Sequence, residues 1–404
     1  MSDITAFIDK NLKRTIHNNT KDEGTLLGLP YPYTVPCADD KFLEMYYWDT
    51  YFTNVGLLIH GMAEQAKCNV DDILYLVNKY GFMPNGNRTY YLNRSQPPFL
   101  YAMVRDIYEY FGDMNWLKGA YETLKKEYNF WQTARRAENG LNFYGNKENI
   151  TSEQINWLNN DFKKRSGGFE TKDNKLRENI AHTVMTFVES GWDCNSRFEL
   201  DGLHYNPVDL NSLLYGFELE MAYFSGVLGA GEEDFWKTCA AKRKDIMKTY
   251  MWNEKYGIYM DWNFKEKRFS PIRSAASLYP LYVKLSDDIS GEEKLLKELT
   301  LPYGVSASLA ENCKYSLQWD YPNIWPPLQY IAFIGTNNYG LDENSKMIAQ
   351  KYVSLIEKSF SETGNLWEKY DGNNGTVASQ DYDAPAMMGW TGGVYLFFKK
   401  YLGQ

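Results

Sequence analysis

The sequence is poor in the residues that build metal centres and covalent frameworks. Its four histidines, His17, His60, His182 and His204, lie too far apart for a zinc site of the HExxH type. Its five cysteines, Cys37, Cys68, Cys194, Cys239 and Cys313, are scattered, odd in number and without CxxC spacing. That pattern fits the reduced thiols of a cytosolic protein better than a disulfide framework. No stretch approaches the roughly 18 apolar residues that span a bilayer. The first twenty residues have no basic segment followed by an apolar one, so no secretory signal is read there. Cationic charge is in deficit: 43 Lys and Arg stand against 52 Asp and Glu, a net charge of −9. Nucleic acid and anionic membrane are therefore excluded as main partners. These absences together predict a cytoplasmic protein acting on a small molecule.

What the chain has in excess is aromatic surface, 16% of its residues, including 33 Tyr and 12 Trp. Much of that fills a helical core, and the remainder suits a cleft in which rings pack on the C–H face of a sugar. Helical periodicity dominates the 404 residues. Leu100, Met103, Val104, Ile107, Tyr108 and Phe111 share one helix face, as do Leu210, Leu213, Leu214, Phe217, Met221 and Phe224. Met347, Ile348, Tyr352, Leu355 and Ile356 repeat the pattern. Weaker helical stretches lie near 3–16, 48–60, 71–80, 115–134, 232–251, 275–285, 325–335 and 390–402, and the best strand is 256–262. An all-α fold of about a dozen helices is expected. No linker divides it, so residues 1–404 read as one catalytic domain, with 138–180 a polar, lid-like excursion. A helical solenoid and an α/α toroid both fit, and the lack of a fixed repeat favours the toroid.

Five loop stretches mix rings with carboxylates, amides and guanidinium groups: KFLEMYYWDTYF (41–52), PNGNRTYYLNRSQPP (84–98), ESGWDCNSRF (189–198), QWDYPNIWPP (318–327) and LWEKYDGNNG (366–375). A core needs no such mixture, because each buried polar group requires a partner. A sugar site does, because every hydroxyl both donates and accepts. Glycoside hydrolysis generally uses two carboxylates, one to protonate the leaving oxygen and one to activate water or attack. Asp193 beside Trp192 and Glu368 beside Trp367 are candidates, and Glu44, Asp49, Glu189, Asp320, Asp371, Asp381 and Asp383 are rivals. On residue types alone, which is acid and which is base stays open.

In this order the stretches resemble the trehalase family of glycoside hydrolases. KFLEMYYWDTYF is similar to the family's first signature and QWDYPNIWPPLQY to its second, while PNGNRTYYLNRSQPP, GWDCNSRF, PVDLNSLL (207–214) and EKYD match further family segments. The resemblance implies an (α/α)6 toroid of six helical hairpins, an inverting mechanism, neither metal nor cofactor, and α,α-trehalose as the substrate cleaved to glucose. It implies Asp193 as general acid and Glu368 as general base. It places Trp48, Asp49, Asn85, Arg94 and Gln96 around the −1 sugar, Phe42 and Trp325 on the walls, and Gly191 at a backbone contact beside the acid.

Three departures concern the second sugar. A clamping Arg of the family is replaced by Lys41, which keeps charge but loses the forked geometry. The family's Arg-Pro-Glu-Ser segment has no counterpart in ENITSEQIN (148–156), and Asp381 stands where a substrate-binding Glu is expected. They leave open another small α-glycoside, with a sugar-binding protein without turnover as a weaker reading.

Overall fold

The computed structural model describes residues 3–39, 41–148, 150–315, 317–378, 385–386 and 389–404. Among these are fourteen α-helices. The first five are α1 (Asp3–Leu12), α2 (Tyr47–Ile59), α3 (Ala63–Tyr80), α4 (Leu100–Phe111) and α5 (Met114–Thr133). Then come α6 (Ser152–Arg165), α7 (Asn174–Ser190), α8 (Val208–Leu228), α9 (Glu233–Tyr250) and α10 (Tyr279–Tyr282). The chain closes with α11 (Ser290–Leu299), α12 (Pro326–Asn338), α13 (Asp342–Thr363) and α14 (Gly389–Tyr401).

Six of these helices form a closed ring. α2 packs on α4, α4 on α8, α8 on α10, α10 on α12, α12 on α14, and α14 returns to α2. Outside them, α3, α5, α9 and α13 pack on α2, α4, α8 and α12, α1 packs on α14, and α11 packs on the turn that leads into α10. The fold is an (α/α)6 toroid. Burial separates the two layers. Every residue of α2 from Tyr47 to Leu57 is buried, whereas α9 buries only Trp236, Ala240, Arg243 and Met247, the single stripe of an outer helix. The ring closes tightly where α14 meets α2. A Cβ on Gly56 would stand 2.5 Å from the Gly393 Cα, so only glycine on both helices allows the backbones to approach so closely.

Residues 138–180 hold a turn, α6 and the first part of α7, which pack on each other as a hairpin. A capping box starts α6: Thr151 Oγ1 accepts from the Gln154 N–H and the Gln154 side chain accepts from the Thr151 N–H. The hairpin has its own apolar core, in which Leu158, Phe162, Ile180, Val184 and Phe187 meet Phe198, Tyr205, Leu210 and Leu214. Strands are two residues long. Trp252–Asn253 pairs with Ile258–Tyr259, inside the segment read as extended. Asn323–Ile324 pairs antiparallel with Tyr370–Asp371, which fastens the QWDYPNIWPP stretch to the WEKYD stretch.

Candidate active site

The separate loop motifs converge on one cavity of about 330 Å³ at one end of the ring. Asp193, Glu368, Phe42, Trp48, Asp49, Asn85, Arg94, Gln96, Gly191 and Trp325 all line it. Its volume lies near the lower end of the roughly 300–1,000 Å³ usual for small-ligand pockets, a size for a compact ligand rather than a polymer. Lys41 is not among the lining residues. It sits exposed in a turn, its backbone N–H donating to the Asp39 carbonyl, and only the next residue, Phe42, faces inward. Asp381 lies outside the described residues.

Three inner helices present their N-terminal ends to this cavity. Trp48 and Asp49 stand in the first turn of α2, Trp325 caps α12 and Trp390 is in the first turn of α14. Gln96 Oε1 accepts the otherwise unpaired Trp48 N–H at 3.2 Å. Five indoles, Trp48, Trp192, Trp319, Trp325 and Trp390, form one cluster beneath the cavity. Trp319 and Trp325 stack at 3.8 Å and 7°, Trp192 stacks on Trp319, and Trp390 meets Trp48 and Trp325 edge-on. Trp48, Trp319, Trp325 and Trp390 reach the cavity wall. Such rigid, flat apolar surface suits the C–H faces of a sugar ring.

Asp193 arrives from α7, whose C-terminal end is fixed by Gly191 in the left-handed conformation at φ +71°. A Cβ at Gly191 would lie 2.6 Å from the Trp48 ring, so both backbone and packing demand glycine there. Glu189, fully buried, receives Arg135 Nε at 2.9 Å, the Ser95 N–H at 2.7 Å and the Gly145 N–H. Asn85 Nδ2 donates to the Val188 carbonyl at 3.0 Å. The end of α7 is thereby tied to the loop that carries Arg94 and Gln96. On the other side, Ser196 N donates to Asp320 at 3.0 Å, joining the Asp193 loop to the QWD stretch.

Glu368 is 8% exposed, and its backbone is held to the start of α14: the Trp390 Nε1–H donates to its carbonyl at 3.2 Å, and Thr391 Oγ1 to the neighbouring Trp367 carbonyl at 2.7 Å. The adjacent Lys369 is fully buried, donates to Gln318 Oε1 at 3.1 Å and lies over the Trp325 ring. Several rival carboxylates take structural partners. Glu44 pairs with Arg88 at 3.1 Å, Glu189 with Arg135, and Asp371 accepts the N–H groups of Asn373 and Asn374.

Asp49 behaves differently. Burial, then the negative charges of Glu368 and Asp193, push its carboxyl up to about 8, although its own backbone N–H pulls the other way. At neutral pH it is a neutral acid, able to donate a hydrogen bond to a sugar oxygen. Because its folded pKa lies above the unfolded value of about 3.9, the folded state holds a proton that the unfolded state has lost. Stability from this group is full below that value and declines as pH rises toward 8. Asp49→Asn is therefore expected to flatten the fall of the denaturation midpoint between about pH 5 and pH 8 relative to the parent, read by thermal unfolding at each pH. Parallel curves for the two proteins would contradict a protonated Asp49.

Arg94 lies over the Tyr91 ring at 4.8 Å and donates through Nη1 to Asn93 at 2.7 Å, but its Nε is buried with no hydrogen-bond partner among the described residues. Burial lowers its pKa, with Tyr91, Asp193 and Glu189 drawing it back up. A buried N–H without an acceptor points to a ligand oxygen. Four lining residues were within the quoted motifs yet not singled out: Tyr46, Tyr91, Gln318 and Trp319. Arg165, from the last turn of α6, also lines the cavity and had no motif to announce it. Among the described residues no group of three His, Cys, Asp or Glu is placed to hold a metal ion, and no helix is long and apolar enough to cross a membrane.

Residues 2–403 match the trehalase family model. The chain belongs to the trehalase family. It is a glycoside hydrolase. It is 33% identical to the periplasmic trehalase of Xanthomonas oryzae pv. oryzae over 412 residues, covering 94% of this chain and 69% of that protein. It is 32% identical to the periplasmic trehalase of Pseudomonas aeruginosa, covering 92% and 71%. The neutral trehalase of Saccharomyces cerevisiae superposes with a TM-score of 0.78 at 28% identity, over 96% of this chain and 76% of that one. The expectation of a cytoplasmic protein is overturned by these bacterial relatives, which are periplasmic. The cysteine argument runs in one direction only. Disulfides require an oxidising compartment, but a chain with a core this large needs no disulfide in any compartment.

Proposed function

We propose that this trehalase-family enzyme hydrolyses α,α-trehalose to two molecules of glucose with inversion, in the compartment its bacterial relatives occupy. The observation that carries the reading is that Asp193 and Glu368, from motifs 175 residues apart in sequence (368 − 193), line one small cavity walled by tryptophans. Glu368 removes a proton from water as it attacks the anomeric carbon, and Asp193 protonates the departing glycosidic oxygen. Arg94, Asn85, Gln96 and Asp49 hold the ring hydroxyls through bonds that tighten as positive charge develops on the sugar. The α6–α7 hairpin contributes Arg165 and Val188 to the cavity lining.

Arg165 assumes a contact to the second glucose. It stands at the cavity where Lys41 does not, on a helix that also supplies its partner Asp161 at 3.1 Å. Arg165→Ala is expected to raise KM for trehalose by about ten- to a hundredfold, the loss of one or two charge-assisted hydrogen bonds, with a smaller change in kcat. Unchanged KM would remove Arg165 from the substrate. The reading as a whole is tested by glucose release across trehalose, other α-glucosides and small α-mannosides. Turnover of trehalose well above the rest is expected. Preference for another glycoside, or binding of trehalose without turnover, would overturn it.

A further inference from the structure

A second cavity, of about 350 Å³, lies farther along the same ring. It draws on five of the six inner helices: Tyr51 from α2, Tyr101, Arg105 and Asp106 from α4, Gly216 and Glu220 from α8, Tyr282 from α10, Ile334 and Asn338 from α12. α2 and α12 start at the catalytic cavity and reach the second one with later residues. On α12, Trp325 caps the helix at the catalytic cavity and Asn338 ends it at the second one, 13 residues on (338 − 325), or about 20 Å at 1.5 Å per residue. Aromatic side chains close the axis between them. Tyr51 stacks on Phe99 at 4.7 Å, Phe52 and Tyr330 pack edge-on against it, and its hydroxyl meets that of Tyr282 at 2.8 Å.

Two features of this cavity ask for a ligand. The Tyr101 hydroxyl, on a side chain only 4% exposed, has no hydrogen-bond partner among the described residues. It is kept open by Gly216, where a Cβ would lie 2.8 Å from that oxygen. The charges do not balance either. Arg105 gives its guanidinium to Glu220 and Glu109, each at 2.8 Å, and rests on the Tyr223 ring at 3.6 Å. Asp106 has no ion-pair or hydrogen-bond partner among the described residues, while Glu220 and Glu109 add like charge near it and Lys284 is exposed at the rim. The groups turned toward Asp106 from the neighbouring helices are neutral phenols: Tyr51, Tyr282 and Tyr330.

We propose that this cavity binds a small primary ammonium ion, with Asp106 as counter-charge, the Tyr101 hydroxyl oxygen as acceptor and the tyrosine rings as the apolar wall. A desolvated ammonium beside aromatic rings and a carboxylate satisfies the acceptors that the protein leaves open. A neutral polyol would leave the excess negative charge uncompensated. Burial, with Glu220 adding to it and Arg105 opposing, holds the Asp106 carboxyl up at about 7. Binding of a cation therefore takes hold above that pH and weakens below it.

Calorimetric titration of the full chain with ethylammonium chloride tests the proposal. One site per chain is expected, unchanged in Asp193→Asn, weakened about tenfold in Asp106→Asn and by about tenfold on going from pH 8 to pH 6. Tyr101→Phe, which removes only the hydroxyl, is expected to weaken ethylammonium and to leave tetramethylammonium, which has no N–H, unaffected. It serves alone if Asp106→Asn does not fold. Absence of binding, binding lost in Asp193→Asn, equal binding of glycerol, or affinity unmoved by both Asp106→Asn and Tyr101→Phe would overturn it.

Discussion

Asp193→Asn is expected to lower kcat for trehalose by a factor on the order of 10²–10⁴ with the folded structure intact, and Glu368→Gln by a comparable factor. The two losses differ in kind. Asparagine cannot give a proton to the glycosidic oxygen, so the departing glucose leaves as a poor alkoxide. Fluoride leaves without protonation, so α-glucosyl fluoride should still be cleaved by Asp193→Asn at a rate much closer to that of the parent. Glutamine at 368 cannot activate water, and the fluoride should then be as inert as trehalose. Both carboxylates line the same cavity, and neither substitution changes side-chain volume appreciably. Steady-state rates on the two substrates separate the roles. Recovery of fluoride cleavage by Glu368→Gln rather than Asp193→Asn would exchange them.

Glu189→Ala is expected to cost stability and activity together. Glu189 and Arg135 form a bidentate pair at 0% and 7% side-chain exposure, and removing the acid strands a buried guanidinium. Breaking such a pair costs about 3–5 kcal/mol. The Ser95 and Gly145 N–H groups lose their acceptor as well, which frees the loop next to Arg94 and Gln96. Replacing both partners, as Glu189→Leu with Arg135→Met, should return much of the lost stability, since an apolar pair of similar volume is often tolerated. It should not return activity, because the two N–H groups stay unpaired. Denaturant unfolding with parallel kinetics measures both. Full activity in the double variant would show that Glu189 serves only the fold.

The inner and outer helices were legible to different degrees for a physical reason. α4, α8 and α13 announce themselves through repeats such as Leu100, Met103, Val104 and Ile107, because each turns a stripe to the interior. α6 buries only Leu158 and Phe162 in 14 residues, and α7 fills half its buried face with Thr183, Thr186, Ala181 and Ser190, so neither stripe rises above the polar background. Residues 138–180 consequently read as a polar, lid-like excursion. α11, with five buried positions of which two are Gly291 and Glu292, was hidden in the same way.

At the site, order along the chain and resemblance brought together ten residues that the fold places in one cavity. Residue type could not sort the carboxylates, because Asp320 stands beside Trp319 and Tyr321, and Glu44 and Glu189 lie in the same aromatic-bearing stretches, as Asp193 and Glu368 do. Their placement sorts them: Asp193 and Glu368 line the cavity, whereas Glu44, Glu189 and Asp320 turn to Arg88, Arg135 and Ser196 outside it. Arg165 was beyond sequence reasoning, since only the hairpin brings the end of α6 to the cavity. Lys41 shows the opposite case. It carries the expected charge at the expected position, but the turn at Asp39 leaves it at the surface.

Proton NMR of trehalose hydrolysis in its first minutes tests the central claim most directly, because anomers of glucose are resolved before they equilibrate. Attack by a Glu368-activated water on one α-linked ring, with Asp193 releasing the other, predicts α- and β-glucose in equal amounts at the start. Appearance of α-glucose alone would mean retention through a covalent intermediate and would contradict the account.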